Sequence, residues 1–420
     1  MTGTRNRKHK QPPPPTRASR RVPPAFFLAA LIIVVAIVLL LSNRSDQPSA
    51  PERLEKASAV SQNSSALTTW RERAFAVTSL FHIVYTPCWE GAYGAIGDAY
   101  LFAATHDSSL YRFHLVDHDL RLMCEGTWVD DRAWVCLAEL QWWEVTGRTN
   151  MSLVLDARRR YLDARDEGRF SRSQGFWTWY NWPPEKAGAQ AFTNSNMNQM
   201  VTVACGLYAA TGEASFKSDA LLAWNGDGTT PGIEATWYRG GGVWIGKGGR
   251  AAFGNQLPWR GVGYCSVASA LYRMTGEKHY KDVAVATAKY ALDPRTGWVD
   301  PTDYYQLRMD GNGAFVNFLL DAYAVAPEEL ADVPGKIEKM LTHVWTNAHS
   351  AAVVQLHRMS DNGIRNGWNP RGGEDGYGVN EVGTVHAQGE AARAFGVFTY
   401  YEERATPTKP VSQAGRGSRP

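Results

Sequence analysis

Between Leu67 and Glu403 apolar residues recur at three- and four-residue intervals, and long runs of strict apolar/polar alternation do not occur. The pattern predicts helices over Leu67–Tyr85, Gly91–Thr105, Asn150–Asp163, Ser215–Trp224, Tyr280–Leu292, Asn312–Val325, Glu328–Ala348 and Val382–Glu403. One phrase returns at near-constant spacing: Trp142 to Gly147, Leu207 to Gly212 and Leu271 to Gly276 each end in Thr-Gly, with the glycines 65 and 64 residues apart. Glycine suits the left-handed residue that ends a helix, so each phrase closes one amphipathic helix and leads into the next. The repeating unit is a helical hairpin, and about five or six of them closing on themselves make a double ring, an all-α fold.

The ends of the chain have a different character. Residues 1–24 carry seven Lys and Arg, no acid and the run Pro12 to Pro15, which predicts a basic disordered tail. Ala25 to Leu41 holds 17 residues without a charged or polar side chain, about 25 Å of helix and near the lower limit for crossing a bilayer. Residues 25–42 are therefore expected to be a single N-terminal transmembrane signal anchor, with the basic tail cytoplasmic and everything beyond it lumenal or extracellular, a type II membrane protein. Residues 43–64 read as a stalk, 65–403 as one large domain and 404–420 as a disordered tail. The sequons at Asn43, Asn63 and Asn150 agree with that side of the membrane.

Net charge is only +3, which gives no reason to expect nucleic-acid binding. The five cysteines show no paired spacing for zinc, allow one or two disulfides, and leave an odd thiol; no cofactor and no metal are expected. The 12% aromatic share exceeds what core packing usually needs, and ring faces that stack on sugars are one use for the excess.

Candidate chemistry centres on Thr127 to Trp134, where Asp130 and Asp131 stand side by side between Trp128 and Trp134 at a predicted helix start. Acids in a first helical turn commonly cap free N–H groups, so the pair by itself does not distinguish capping from catalysis. The connections Gly168–Gln199, Asn225–Arg260, Asp293–Gly311 and Ser360–Glu381 are far longer than helical turns need, and long loops on a rigid scaffold are where clefts are built. The glycine-rich run Arg239 to Gly249 lacks a preceding strand and a Gly-Lys-Ser/Thr ending, which excludes a phosphate loop.

Asp130-Asp131 with the following aromatic helix, Phe176 to Trp182, Asn194 to Asn198, Gly313 to Leu319, Val344 to Ala348 and Gly367 to Pro370 occur in an order that resembles glycoside hydrolase family 76. That family comprises endo-α-1,6-mannanases and cell-wall mannan transglycosylases. The resemblance covers most of residues 65–402 and implies an (α/α)6 barrel and a glycosidase or transglycosylase acting on α-1,6-linked mannan. It implies Asp130 as nucleophile and Asp131 as acid/base, although the residues alone do not order the two, and Glu374 or Asp375 could supply a third carboxyl. Adjacent aspartates are compatible with retention, which places two carboxyls about 5–5.5 Å apart.

Around the pair, Trp128, Trp177, Trp179, Tyr180, Trp182, Trp259 and Trp368 are candidates for sugar contact, and Asn194 and Asn198 for hydrogen bonds to hydroxyls. The alternatives are interhelical packing for each Trp and an N-cap for Asn194. One departure stands out: Trp259-Arg260-Gly261 occupies the place of a family Asn-Gln-Gly phrase, with Asn255-Gln256 just upstream. Rival readings are a catalytically silent glycan-binding scaffold and a sugar epimerase using His357 and His386. The expected partners are a mannose-containing glycan and, through residues 25–42, a membrane; the expected state is a monomer.

Overall fold

The computed structural model describes residues 67–125, 128–171, 173, 175–178, 195–245, 258–296, 312–350, 363–364 and 385–405. The chain divides into a unit ending at Lys56 and a second from Ala57 onward, and all described residues belong to the second. The expected tail 1–24, anchor 25–42 and stalk 43–64 lie outside the described residues, as does the tail 404–420 except for Arg404 and Ala405, which end the last helix. Among the described residues no helix is long and apolar enough to cross a membrane.

Helix α1 (Trp70–Val84) opens with a capping box: Thr69 Oγ1 accepts from the Glu72 N–H at 3.2 Å, and the Thr69 N–H donates to Glu72 at 2.9 Å. The chain continues through α2 (Trp89–Thr105), the short α3 (Ser108–Arg112) with a π-helical turn Phe113–Asp117, α4 (Val129–Val145) and α5 (Met151–Asp166). A two-residue ladder of β1 (Phe170–Ser171) and β2 (Phe176–Trp177) leads to α6 (Gln199–Thr211), α7 (Ala214–Asn225) and α8 (Gly232–Trp237). Then follow α9 (Pro258–Thr275), α10 (Lys278–Ala291), α11 (Asn312–Val325), α12 (Val333–His343), a second short ladder of β3 (His349–Ser350) with β4 (Gly363–Ile364), and α13 (Val385–Ala405).

Helices α2, α4, α6, α9, α11 and α13 pack in that cyclic order, and α13 returns to α2, closing an inner ring. Outside them α3 lies on α2, α5 on α4, α7 on α6, α10 on α9 and α12 on α11 and α13, while α1 covers α13. The six pairs make the expected double ring of helical hairpins. Burial follows the two roles: α2 is buried on every side from Gly91 to Ala99, whereas α5 buries one stripe, Leu153, Val154, Ala157, Tyr161 and Ala164.

Direction around the ring is set by helix ends. The Thr-Gly phrases terminate α4, α6 and α9; Gly147, Gly212 and Gly276 have φ of +75°, +72° and +76°, and Thr146, Thr211 and Thr275 each donate a hydroxyl bond back to the carbonyl four residues earlier. A left-handed residue ends α2 as well, but there it is His106, which no glycine pattern announces. Inner helices α2, α4, α6 and α9 therefore exit through short turns, and α6, α9, α11 and α13 are entered through much longer connections at their N-termini.

One local expectation is revised, and two features appear that the sequence left open. The helix expected from Glu328 starts at Val333, because Pro334 has no N–H to donate and is accommodated only in a first turn. The stretch 108–117 forms α3 and its π-helical turn, although its short run carries too little periodicity to be seen in advance. Of the five cysteines, Cys88 and Cys124 form a disulfide between the start of α2 and the segment before α4, and the other three are buried thiols.

The closing seam between α2 and α13 is made of backbone. A Cβ on Gly97 would lie 2.3 Å from the Ala392 carbonyl oxygen, and one on Gly396 would lie 2.3 Å from the Gly97 carbonyl oxygen. Gly389 faces the Gly94 N–H across the same seam. Gly97→Ala and Gly396→Ala are each expected to lower stability by about 1–3 kcal/mol despite better helix propensity, because the clash is with backbone that cannot swing away. Gly335→Ala, whose new methyl meets nothing within 4 Å on α12, is the control and is expected to be neutral or slightly stabilising. Thermal unfolding followed by circular dichroism checks all three.

Candidate active site

Trp128 enters α4 in extended conformation, φ −98° and ψ 155°, so that its backbone N–H turns to Asp131 Oδ2 at 3.3 Å. Asp130 and Asp131 occupy the first turn, where the helix dipole favours negative charge. Trp134, three and four residues on, lies on the same helical face and is buried. Its ring is 5.1 Å from Tyr93 of α2 and 6.1 Å from Phe318 of α11. The Arg393 guanidinium of α13 sits over all three, 4.9 Å from the Trp134 ring and 5.6 Å from the Tyr93 and Phe318 rings. Arg393 Nε in turn donates to Asn317 Oδ1 at 2.9 Å. Four inner helices thus supply an aromatic and cationic floor beneath the aspartates.

The two carboxyls are not equivalent. Asp131 is 4% exposed, whereas Asp130 is half-buried. Burial first, and the Asp130 charge second, push the Asp131 carboxyl up to about 8; the Trp128 N–H opposes this, and Glu90 at the head of α2 adds to it. Burial dominates for Tyr93 too, with the charges of Glu390 and Asp130 holding its phenol proton on well above the usual range. Glu390 Oε2 accepts from the Gly313 and Ala314 N–H groups at 2.6 and 3.1 Å and so caps the head of α11. A Cβ on Gly313 would lie 2.1 Å from the Glu390 carbonyl oxygen, so that position requires glycine. The site can therefore hold one carboxyl protonated at neutral pH beside a more accessible neighbour.

Of the residues anticipated from sequence, the structure brings Trp128, Asp130 and Asp131 together at one helix head. Trp177 is 2% exposed, with its ring 5.3 Å from Tyr161 and from Phe170, so stacking on a sugar would require it to leave that packing. Asn198 is wholly buried: its Oδ1 accepts from the Trp177 N–H at 3.2 Å and its Nδ2 donates to Tyr264 Oη at 3.3 Å, which ties β2 to α9. Trp179, Tyr180, Trp182, Asn194, Trp368, His357, Glu374, Asp375 and the Asn255-Gln256 pair lie outside the described residues. Trp259 and Arg260 fall in the first turn of α9 after Pro258, and His386 in the first turn of α13; the side chains of all three are likewise outside.

Glu90, Tyr93, Glu390 and Arg393 escaped the sequence reading. Each stands inside a helix with no motif around it, and the one available hint is a charge within an otherwise alanine- and glycine-rich segment.

No family model matches the sequence, and no curated protein matches it. Solved structures share the fold. An inactive variant of the alpha-1,6-mannanase GH76A of Salegentibacter sp. HEL1_6, substituted at two consecutive aspartates and in complex with alpha-1,6-mannotetrose, has a TM-score of 0.58 at 14% identity, covering 79% of this chain and 99% of that one. A family 76 glycoside hydrolase (mannosidase) from Bacteroides thetaiotaomicron VPI-5482 has a TM-score of 0.58 at 15% identity over 80% and 100%. Dfg5 from Chaetomium thermophilum, in complex with glucosamine, has a TM-score of 0.57 at 12% identity over 81% and 92%. The chain therefore has the helical barrel fold of glycoside hydrolase family 76 proteins.

The Asp131 environment makes stability depend on pH. Its folded-state pKa lies above that of the unfolded chain, so the native state binds more protons between about pH 4 and pH 8 and stability falls as pH rises through that window. In Asp131→Asn this contribution is expected to vanish, leaving the variant more stable than the parent at pH 8 by more than at pH 5; paired denaturant titrations at the two pH values measure it.

Proposed function

We propose that this chain is a retaining glycosidase or transglycosylase acting on α-1,6-linked mannan or related mannose-containing glycans. The observation that carries the proposal is the pair Asp130 and Asp131 at the head of α4, one carboxyl half-exposed and the other buried and held protonated up to about pH 8. The fold is shared with an alpha-1,6-mannanase whose inactive variant is altered at two consecutive aspartates, which supports both the substrate class and the choice of residues.

In the proposed reaction Asp131 gives its proton to the glycosidic oxygen while Asp130 attacks the anomeric carbon, so the leaving sugar departs neutral and a glycosyl ester forms on Asp130. Asp131, now a carboxylate, takes a proton from water or from a sugar hydroxyl as that oxygen displaces Asp130. Water gives hydrolysis and a sugar gives transfer. The helix dipole favours the anionic state of the pair during this cycle. The Cys88–Cys124 disulfide supports placing the domain in an oxidising compartment, lumenal or extracellular, on the far side of the proposed anchor 25–42.

Incubated with α-1,6-linked manno-oligosaccharides, the purified protein is expected to yield shortened or transferred chains. Asp131→Asn is expected to lower turnover by about 10²–10⁴-fold, and Asp130→Asn to abolish it. The parent's rate should decline as pH rises past about 8, where the acid loses its proton. Full turnover in both variants would refute the assignment; sugar binding with no turnover in the parent would instead favour a glycan-binding scaffold.

A further inference from the structure

On the outer side of α2, away from the aspartate pair, a second polar cluster is buried between α1, α2 and the π-helical turn after α3. Asp98 is wholly buried there and receives two imidazoles on one oxygen: His82 Nε2 at 2.6 Å and His114 Nε2 at 2.7 Å from Oδ2. Thr78 Oγ1 donates to its other oxygen at 2.8 Å. One potential ligand atom from each of His82, Asp98 and His114 lies within 4.8 Å of the others. The three come from three separate segments. His114 is brought in by the π-helical turn, a distortion that often marks functional positions.

We propose that His82, Asp98 and His114 bind a divalent transition-metal ion of the zinc class, clamping α1 and the α3 segment to α2. Two imidazoles and a carboxylate are the donor set that suits zinc and its first-row neighbours and disfavours calcium or magnesium, which take oxygen ligands. Two buried polar atoms at the cluster, His114 Nδ1 and Tyr85 Oη, have no hydrogen-bond partner among the described residues, and the two rings lie 5.8 Å apart. Buried polar atoms are normally paired, and the Tyr85 hydroxyl would add a fourth donor atom, a second oxygen, at the edge of the cluster. His82, with 19% of its side chain exposed, provides the way in. Its ring is held by stacking on Phe113 at 3.6 Å, so the donor geometry is preorganised.

The test uses the whole chain, stripped with a chelator and titrated with zinc chloride by calorimetry. One ion per chain is expected, with a rise in melting temperature, and cobalt chloride in its place should give visible ligand-field bands. His82→Gln, a change at the partly exposed ligand that spares the core, is expected to weaken zinc binding by about a hundredfold or more. Asp98→Asn, which keeps the shape and the Thr78 contact, should do the same. No uptake by the parent, or uptake that His82→Gln leaves unchanged, overturns the proposal. Neither result depends on glycan turnover.

Discussion

Everything in this molecule depends on one backbone contact, the glycine seam where α2, the first inner helix, meets α13, the last. A ring of helices closes only if its ends approach as nearly as its consecutive members do, and here no hairpin turn enforces that approach. Gly97 on one side and Gly389 and Gly396 on the other remove the side chains that would hold the two helices apart. Dispersion between close-packed backbones replaces the covalent tether. Closure then decides the chemistry, since α2 and α13 bring Glu90, Tyr93, Glu390 and Arg393 to Asp130 and Asp131, more than two hundred and fifty residues apart at the extremes.

The head of α4 is a balance of opposed terms. The helix dipole and the Trp128 N–H favour ionised carboxylates, while burial and mutual repulsion oppose them. For Asp131 burial is the largest influence, and the proton stays. A pair at the head of an exposed surface helix would keep the same sequence and lose this asymmetry, because water would screen both carboxyls alike. The buried ring interior, with Trp134, Tyr93 and Phe318 beneath the pair, is what turns two capping acids into chemically distinct groups.

Much of this arrangement was legible in the chain. Thr-Gly at 146–147, 211–212 and 275–276 announced three inner helices and their exits, since a left-handed cap is a local requirement that glycine meets at no steric cost. The long connections announced the end at which the site lies. Trp177 and Asn198 were visible as chemistry, but not as groups that pack against Tyr161, Phe170 and Tyr264. Whether an aromatic ring faces sugar or core is decided by neighbours distant in sequence. His82, Asp98 and His114 are evenly spaced along the chain but follow no ligand motif, and only the folding of α1 and the π-helical turn onto α2 makes them a cluster.

The sequence by itself determined the helical period, the hairpin repeat, the helix ends, the pair of adjacent acids and the end of the ring at which they stand. All of these are properties of neighbours within a few residues, where hydrogen bonding, capping and backbone strain act. Tertiary structure alone decided that Asp131 is the carboxyl that keeps its proton, that Glu390 caps α11 from another helix, that Cys88 pairs with Cys124, and that two histidines share one buried aspartate. Desolvation and charge coupling depend on what surrounds a group in space, and that surrounding exists only once α13 has closed on α2.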